Sequence, residues 1–111
     1  MDATTAPLLR DVLPDLASVL EERLIEQDEP DLAEQVATLR LVAPCSCRDD
    51  FCGSFYTAPR PAGAWGPGHE NVVIEGNLPG DVILDVVDRR IMYVEVLFWD
   101  EIRDAVARVS T

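Results

Sequence analysis

The feature that most constrains this chain is a change of hydrophobic spacing near Leu39. Before it, Leu13, Leu16, Leu20 and Leu24 recur every three or four residues with Ala17 beside them, while Asp15, Glu21, Glu22 and Glu26 fall between. That interval lays one apolar stripe along a helix. Leu32, Val36 and Leu39 repeat the pattern after Pro30. Beyond Leu39 the apolar residues alternate with polar ones or run in short blocks rich in Val and Ile: NVVIE at 71–75, DVILDVV at 81–87 and IMYVEVLF at 91–98. Such blocks are strands. Leu41 with Ala43, and SFYTA at 54–58, supply two shorter ones.

A chain that runs from helices into strands and closes on a helix is an α+β protein. The expected order is two N-terminal helices, an antiparallel meander of about five strands with helices on one face, and a C-terminal helix starting at an Asp100 N-cap. Asp28-Glu29-Pro30 is expected to cap the second helix. With 111 residues there is room for one domain. Its expected parts are an acidic helical segment at 1–38, a sheet at 39–98 interrupted by a Pro- and Gly-rich loop at 59–70, and a closing helix at 99–109. The homodimer that such a sheet permits would use an apolar face carrying Met92, Val94, Val96 and Phe98.

Charge narrows the function. The net charge is −12, and all nine basic residues are arginine. Without lysine there is no Schiff-base chemistry, and an acidic surface repels nucleic acid. Residues 1–35 hold ten acids against Arg10 and Arg23, a net −8 of the −12. The acids Glu21, Glu22, Glu26, Asp28, Glu29 and Asp31 are either a solvated face or a docking surface for a basic protein. No run of apolar residues approaches the roughly 20 that span a bilayer, and the N-terminus lacks the charge and apolar pattern of a secretory signal. A cytoplasmic protein without membrane association is expected.

Chemistry concentrates in one place. Cys45-Ser46-Cys47-Arg48-Asp49-Asp50-Phe51-Cys52 reads C-x-C-x4-C, and His69, the only histidine, follows the loop. If residues 48–51 turn a hairpin, Cys47 and Cys52 oppose each other and Cys45 shares their face. Three thiols with His69 make a recognised structural zinc set, and thiolates favour soft metals over magnesium or calcium. Two other readings stay open. The cysteines are small core residues, or they serve redox chemistry. Asp49 and Asp50 disfavour thiolate formation in such a cluster. An odd number of cysteines precludes a fully paired disulfide set within the chain.

No nucleotide-binding or zinc-protease motif is present. A triad of His69 with Ser54 or Cys52 and Asp49 has no spacing to support it. Asp85 and Glu95 read as residues of a half-solvated outer face, and Trp65 and Trp99 as packing.

The stretches CSCRDDFCGSFYT, WGPGHEN and DVVDRRIMYVEVLF resemble small bacterial proteins of no established function, typical of GC-rich genomes. The resemblance implies a bacterial cytosolic protein and carries no activity. In acidity and size, though not in motif, the chain is similar to immunity proteins that neutralise basic toxins. The expectation is therefore a non-enzymatic protein-binding or regulatory domain, with zinc as a structural cofactor. The alternative is a small enzyme or ligand-binding protein with a pocket under the loop that starts at Pro59 and ends at His69.

Overall fold

A computed structural model describes residues 5–47 and 49–110. Among these residues, four helices and a five-stranded antiparallel sheet form the α+β fold read from the sequence. The helices are α1 (Leu9–Val12), α2 (Pro14–Glu26), α3 (Pro30–Gln35) and α4 (Asp100–Val109), with a 3₁₀ turn at Val36–Thr38. The strands are β1 (Ala43–Pro44), β2 (Phe55–Tyr56), β3 (His69–Val73), β4 (Asp81–Val87) and β5 (Arg90–Leu97). None of the helices among the described residues is long and apolar enough to cross a membrane.

The apolar stripe of α2 buries Leu16, Ala17, Leu20 and Leu24. Pro14 stands in its first turn, where the missing N–H breaks no bond. Asp28 ends this helix rather than capping the next. Its backbone is left-handed (φ 62°), and Asp28 N–H bonds Ile25 O while Glu29 N–H bonds Leu24 O, the pairing of a Schellman motif. No side chain caps α3 or α4 by a hydrogen bond. Trp99, not Asp100, is the N-cap of α4, and Asp100 favours that end through the helix dipole and its ion pair with Arg103 (3.4 Å).

The strand order is β1-β2-β5-β4-β3. A β1–β2 hairpin therefore lies against one side of β5, and the β3–β4–β5 meander extends from the other. One face of the sheet carries Phe55, Val82, Leu84, Val86, Ile91, Val94 and Val96, which join the helical stripes in a single core. Val94 and Val96 are sealed in that core, so the face on which a homodimer was expected is already covered by the chain's own helices. A bulge also interrupts β5. Asp85 pairs with Tyr93 but Val86 with Ile91, leaving Met92 as the extra residue. Ile91 thereby joins the buried side with Val94, and strict alternation along β5 is lost. Phe98, with φ 61°, turns outward.

Two glutamines fasten the helices to sheet backbone. Gln27 donates to Val73 O (2.9 Å) and accepts from Glu75 N–H (2.8 Å). Gln35 donates to Arg89 O (2.6 Å) and accepts from Ile91 N–H (2.9 Å). Each amide meets a carbonyl and an N–H two residues apart, as a neighbouring strand would. At the β4–β5 turn, Arg89 gathers Glu29, Asp31 and Glu70.

Candidate metal centre

The β1–β2 register sets the site. Ala43 faces Tyr56 and Pro44 faces Phe55, and Cys45 N–H continues the ladder to Ser54 O at 2.9 Å. Carried on, that register sets Cys47 across from Cys52, the pairing expected from the sequence. Cys52 also bridges to Leu97 of β5. The three Sγ atoms lie within 4.8 Å of one another. Cys47 is exposed, and Cys45 and Cys52 are half-buried. These thiols occupy one end of the sheet's open face and are not core residues.

The supports of the cluster are firm. Gly53 N–H bonds Val96 O (2.8 Å), and a Cβ on Gly53 would meet the Arg103 backbone of α4 at 2.9 Å. Only glycine lets the strand and helix approach so closely. Arg103 donates to Asp50 O (2.6 Å), and Phe98 N–H bonds Phe51 O (2.9 Å). The Phe51 and Phe98 rings stack at 4.9 Å beside the thiols. Ser54, buried, accepts from Val96 N–H (2.9 Å) and from the Cys52 thiol (3.3 Å). Arg48 lies outside the described residues.

The thiols differ electrostatically. Burial raises the pKa of Cys45, but the Tyr93 hydroxyl, the Cys47 backbone N–H and the thiols of Cys47 and Cys52 outweigh it, and the net shift is downward. Cys47 is the opposite. The Asp49 backbone lowers its pKa, but its interactions with the Cys52 and Cys45 thiols prevail and push it up to about 11. Tyr93 is held above the usual phenol value by burial and by its bond to Cys45. Cys45 therefore ionises before Cys47, because donors surround it.

His69 stands elsewhere. Its Nε2 lies 2.6 Å from Asp85 Oδ1, which also accepts from Asn71 Nδ2 at 2.6 Å. This follows from register, since Asn71 faces Asp85 and His69 lies one step along β3. Among the described residues His69 does not belong to the thiol group. Its ring packs near Trp65 (6.5 Å between centroids), which also meets Tyr56 (6.3 Å). Trp99 is buried in the core. Both tryptophans thus pack as expected. The Ser54 hydroxyl is committed to Val96 and the His69 ring to Asp85, so the His69–Ser54 triad is not assembled. The carboxylate that engages His69 was visible in the sequence only as an alternating strand acid; finding the pair required the β3–β4 register.

The six helical acids divide. Glu21 and Glu22 are exposed, and Glu26 pairs with Arg23 at 2.8 Å. Glu29 and Asp31 are tied to Arg89, and that guanidinium holds the Asp31 carboxyl below its ordinary pKa. Asp28 is exposed at its left-handed corner. Neither a family model nor a curated protein nor a solved structure matches the chain.

Proposed function

We propose that the chain is a small non-enzymatic binding protein whose structure is completed by a soft divalent metal, zinc above others, held by Cys45, Cys47 and Cys52. The observation that carries this reading is the convergence of three sulfurs within 4.8 Å. Tetrahedral zinc at a Zn–S distance of about 2.3 Å sets its sulfurs about 3.8 Å apart, so a small contraction closes the site. Cys45, whose pKa is held below the ordinary thiol value, binds first, and the metal then displaces the protons of the other two thiols. With His69 paired to Asp85, the fourth position belongs to water or to a donor from outside the chain. Untagged protein should carry about one zinc per chain, and a chelator should lower its melting temperature. His69→Ala should keep the metal, whereas Cys47→Ser should lose it. Substoichiometric zinc, or a melting temperature indifferent to chelator, would leave three free thiols and no centre.

A second reading concerns the partner. The helical layer presents acid to solvent. Glu21 and Glu22 have no ion-pair partner among the described residues, and a groove of about 320 Å³ between the start of α2 and α4 sets Asp15, Glu101 and Asp104 around Val12 and Ile102, with Arg108 also lining it. A basic protein is the complementary partner. Its affinity should fall steeply from low salt to 1 M, where the screening length is about 3 Å, and reversal of Glu22 and Glu26 to arginine should weaken it further. Affinity indifferent to salt would remove this reading.

A further inference from the structure

A second groove, of about 630 Å³, carries the opposite charge from the rest of the molecule. It opens between the 3₁₀ turn after α3, the segment leading into β1 and the start of β5, at the foot of the loop that begins at Pro59. Two of the nine arginines, Arg40 and Arg90, line it, and no carboxylate does. Arg23, Arg89 and Arg103 are each tied to acids, whereas Arg10 and Arg60, which lie outside the groove, form no ion pair among the described residues. Among the described residues the Arg40 guanidinium has only the Ala6 carbonyl (2.5 Å), and the Arg90 guanidinium has no hydrogen-bond or ion-pair partner. In a chain with 21 acids and nine arginines, carboxylates are plentiful, yet two guanidiniums share a groove without one. Leu39, Val42, Ile91 and Met92 supply apolar surface beside them.

We propose that this groove binds a small organic anion, an oxyanion headgroup on an apolar body. Guanidinium groups present paired N–H donors that match carboxylate and phosphate oxygens, and the aliphatic side chains take the body. The volume lies within the usual range for small-molecule sites. The chain's net charge does not forbid it. At physiological ionic strength the Debye length is about 8 Å, so an anion in the groove responds most to Arg40 and Arg90, which line it, while Glu29 and Asp31 nearby are paired with Arg89. The site is independent of the thiols and of whether they hold metal.

The test is a titration followed by amide and arginine side-chain NMR, with phenyl phosphate and phenylacetate as probes and benzyl alcohol as the uncharged control. Saturable shifts are expected at Thr57, Arg90, Ile91 and Met92, with one of the two anions favoured, which identifies the headgroup. Arg90→Gln should weaken binding at least tenfold. Arg90 is exposed and its side chain supports nothing else, so that variant remains folded even if Arg40→Gln, which loses the Ala6 contact, does not. The proposal fails if neither anion saturates below about 10 mM, if benzyl alcohol binds equally well, or if Arg90→Gln leaves the affinity unchanged.

Discussion

The two faces of the central sheet are made of the same strands and do different work. One face carries Phe55, Leu84, Val86, Ile91, Val94 and Val96, all at most 3% exposed. The other carries Tyr56, Asp85, Tyr93 and Glu95, half-buried, together with His69, Asn71 and the three cysteines. The cross-strand row Phe55–Val94–Leu84–Val72 is aliphatic and aromatic, whereas the adjacent row Tyr56–Tyr93–Asp85–Asn71 is polar. A shift of one residue along a strand moves from one row to the other. Folding free energy is concentrated in the first row, and the groups able to bind metal or exchange protons stand on the second. The division shows why a chain of this size can hold three thiols and a His–Asp pair without losing its core.

The most direct way to break this comparison is to truncate on both faces of one strand pair. Leu84→Ala and Val94→Ala should each destabilise by about 2–5 kcal/mol, because each leaves a cavity that packed neighbours cannot fill. Glu95→Ala, adjacent to Val94 but on the open face, should cost less than about 0.5 kcal/mol. Denaturant melts read at the two-state midpoint decide the matter. Equal losses for Val94 and Glu95 would mean that both faces are packed and that the division is wrong.

What the sequence revealed follows the range of the interactions. The α2 stripe and the opposition of Cys47 to Cys52 were legible, since each depends on residues within a few positions of one another. The bulge at Met92 was not, because a single extra residue leaves no mark in a run as uniformly apolar as IMYVEVLF. Its effect is to move Ile91 to the buried side and to set Met92 apart from Val94 and Val96, while Phe98 leaves that face through its own left-handed backbone. The insertion of β5 between β2 and β4 was hidden for the same reason, since β2 and β5 are distant in sequence and their pairing is decided by packing. His69 was read as a ligand because the glycine-rich loop precedes it, but β3 begins at His69 itself, and strand register delivers the ring to Asp85.

A smaller effect is expected at the seam between the helical layer and the sheet. Arg89 lies at the β4–β5 turn and binds Glu29, Asp31 and Glu70. Its side chain is 42% exposed, so solvent screening keeps the network modest. Arg89→Gln should destabilise by about 1 kcal/mol, less than any core truncation. The pH dependence has a definite sign. Because Arg89 lowers the folded pKa of Asp31, the linked stability is complete above the ordinary carboxylate value and is lost as pH falls through the lowered one. In Arg89→Gln, Asp31 should titrate near its ordinary value of about 3.9, and the acid limb of the stability curve should flatten. Carboxyl NMR of Asp31 reads this directly, and an unmoved titration would show that the ion pair does not persist in solution.

The smallest expected change in stability is at Tyr93, and it is the most informative for the open face. Tyr93→Phe removes a hydroxyl from a half-buried ring and keeps the ring's contact with Tyr56 (4.6 Å between centroids), so the melt should move by less than about 0.5 kcal/mol. The thiols should respond more. In metal-free protein Cys45 is held below the ordinary thiol pKa and Cys47 is pushed up to about 11. Alkylation read by mass spectrometry across pH 6 to 10 or so, the range in which thiols ordinarily titrate, should therefore modify Cys45 before Cys47, although Cys47 is the more exposed. Tyr93→Phe should delay Cys45 to higher pH by removing one of its donors. The linkage sign agrees, for a depressed folded pKa adds stability above the unfolded thiol value and loses it as pH falls through the folded one. Tyr93→Phe should therefore trim stability where the thiols titrate, and above about pH 10, where phenols ionise, loss of a phenol whose folded pKa is raised should offset that effect. If exposure alone governs the order and Cys47 reacts first at every pH, the donors around Cys45 do not act on its sulfur, and the assignment of Cys45 as the leading metal ligand falls with them.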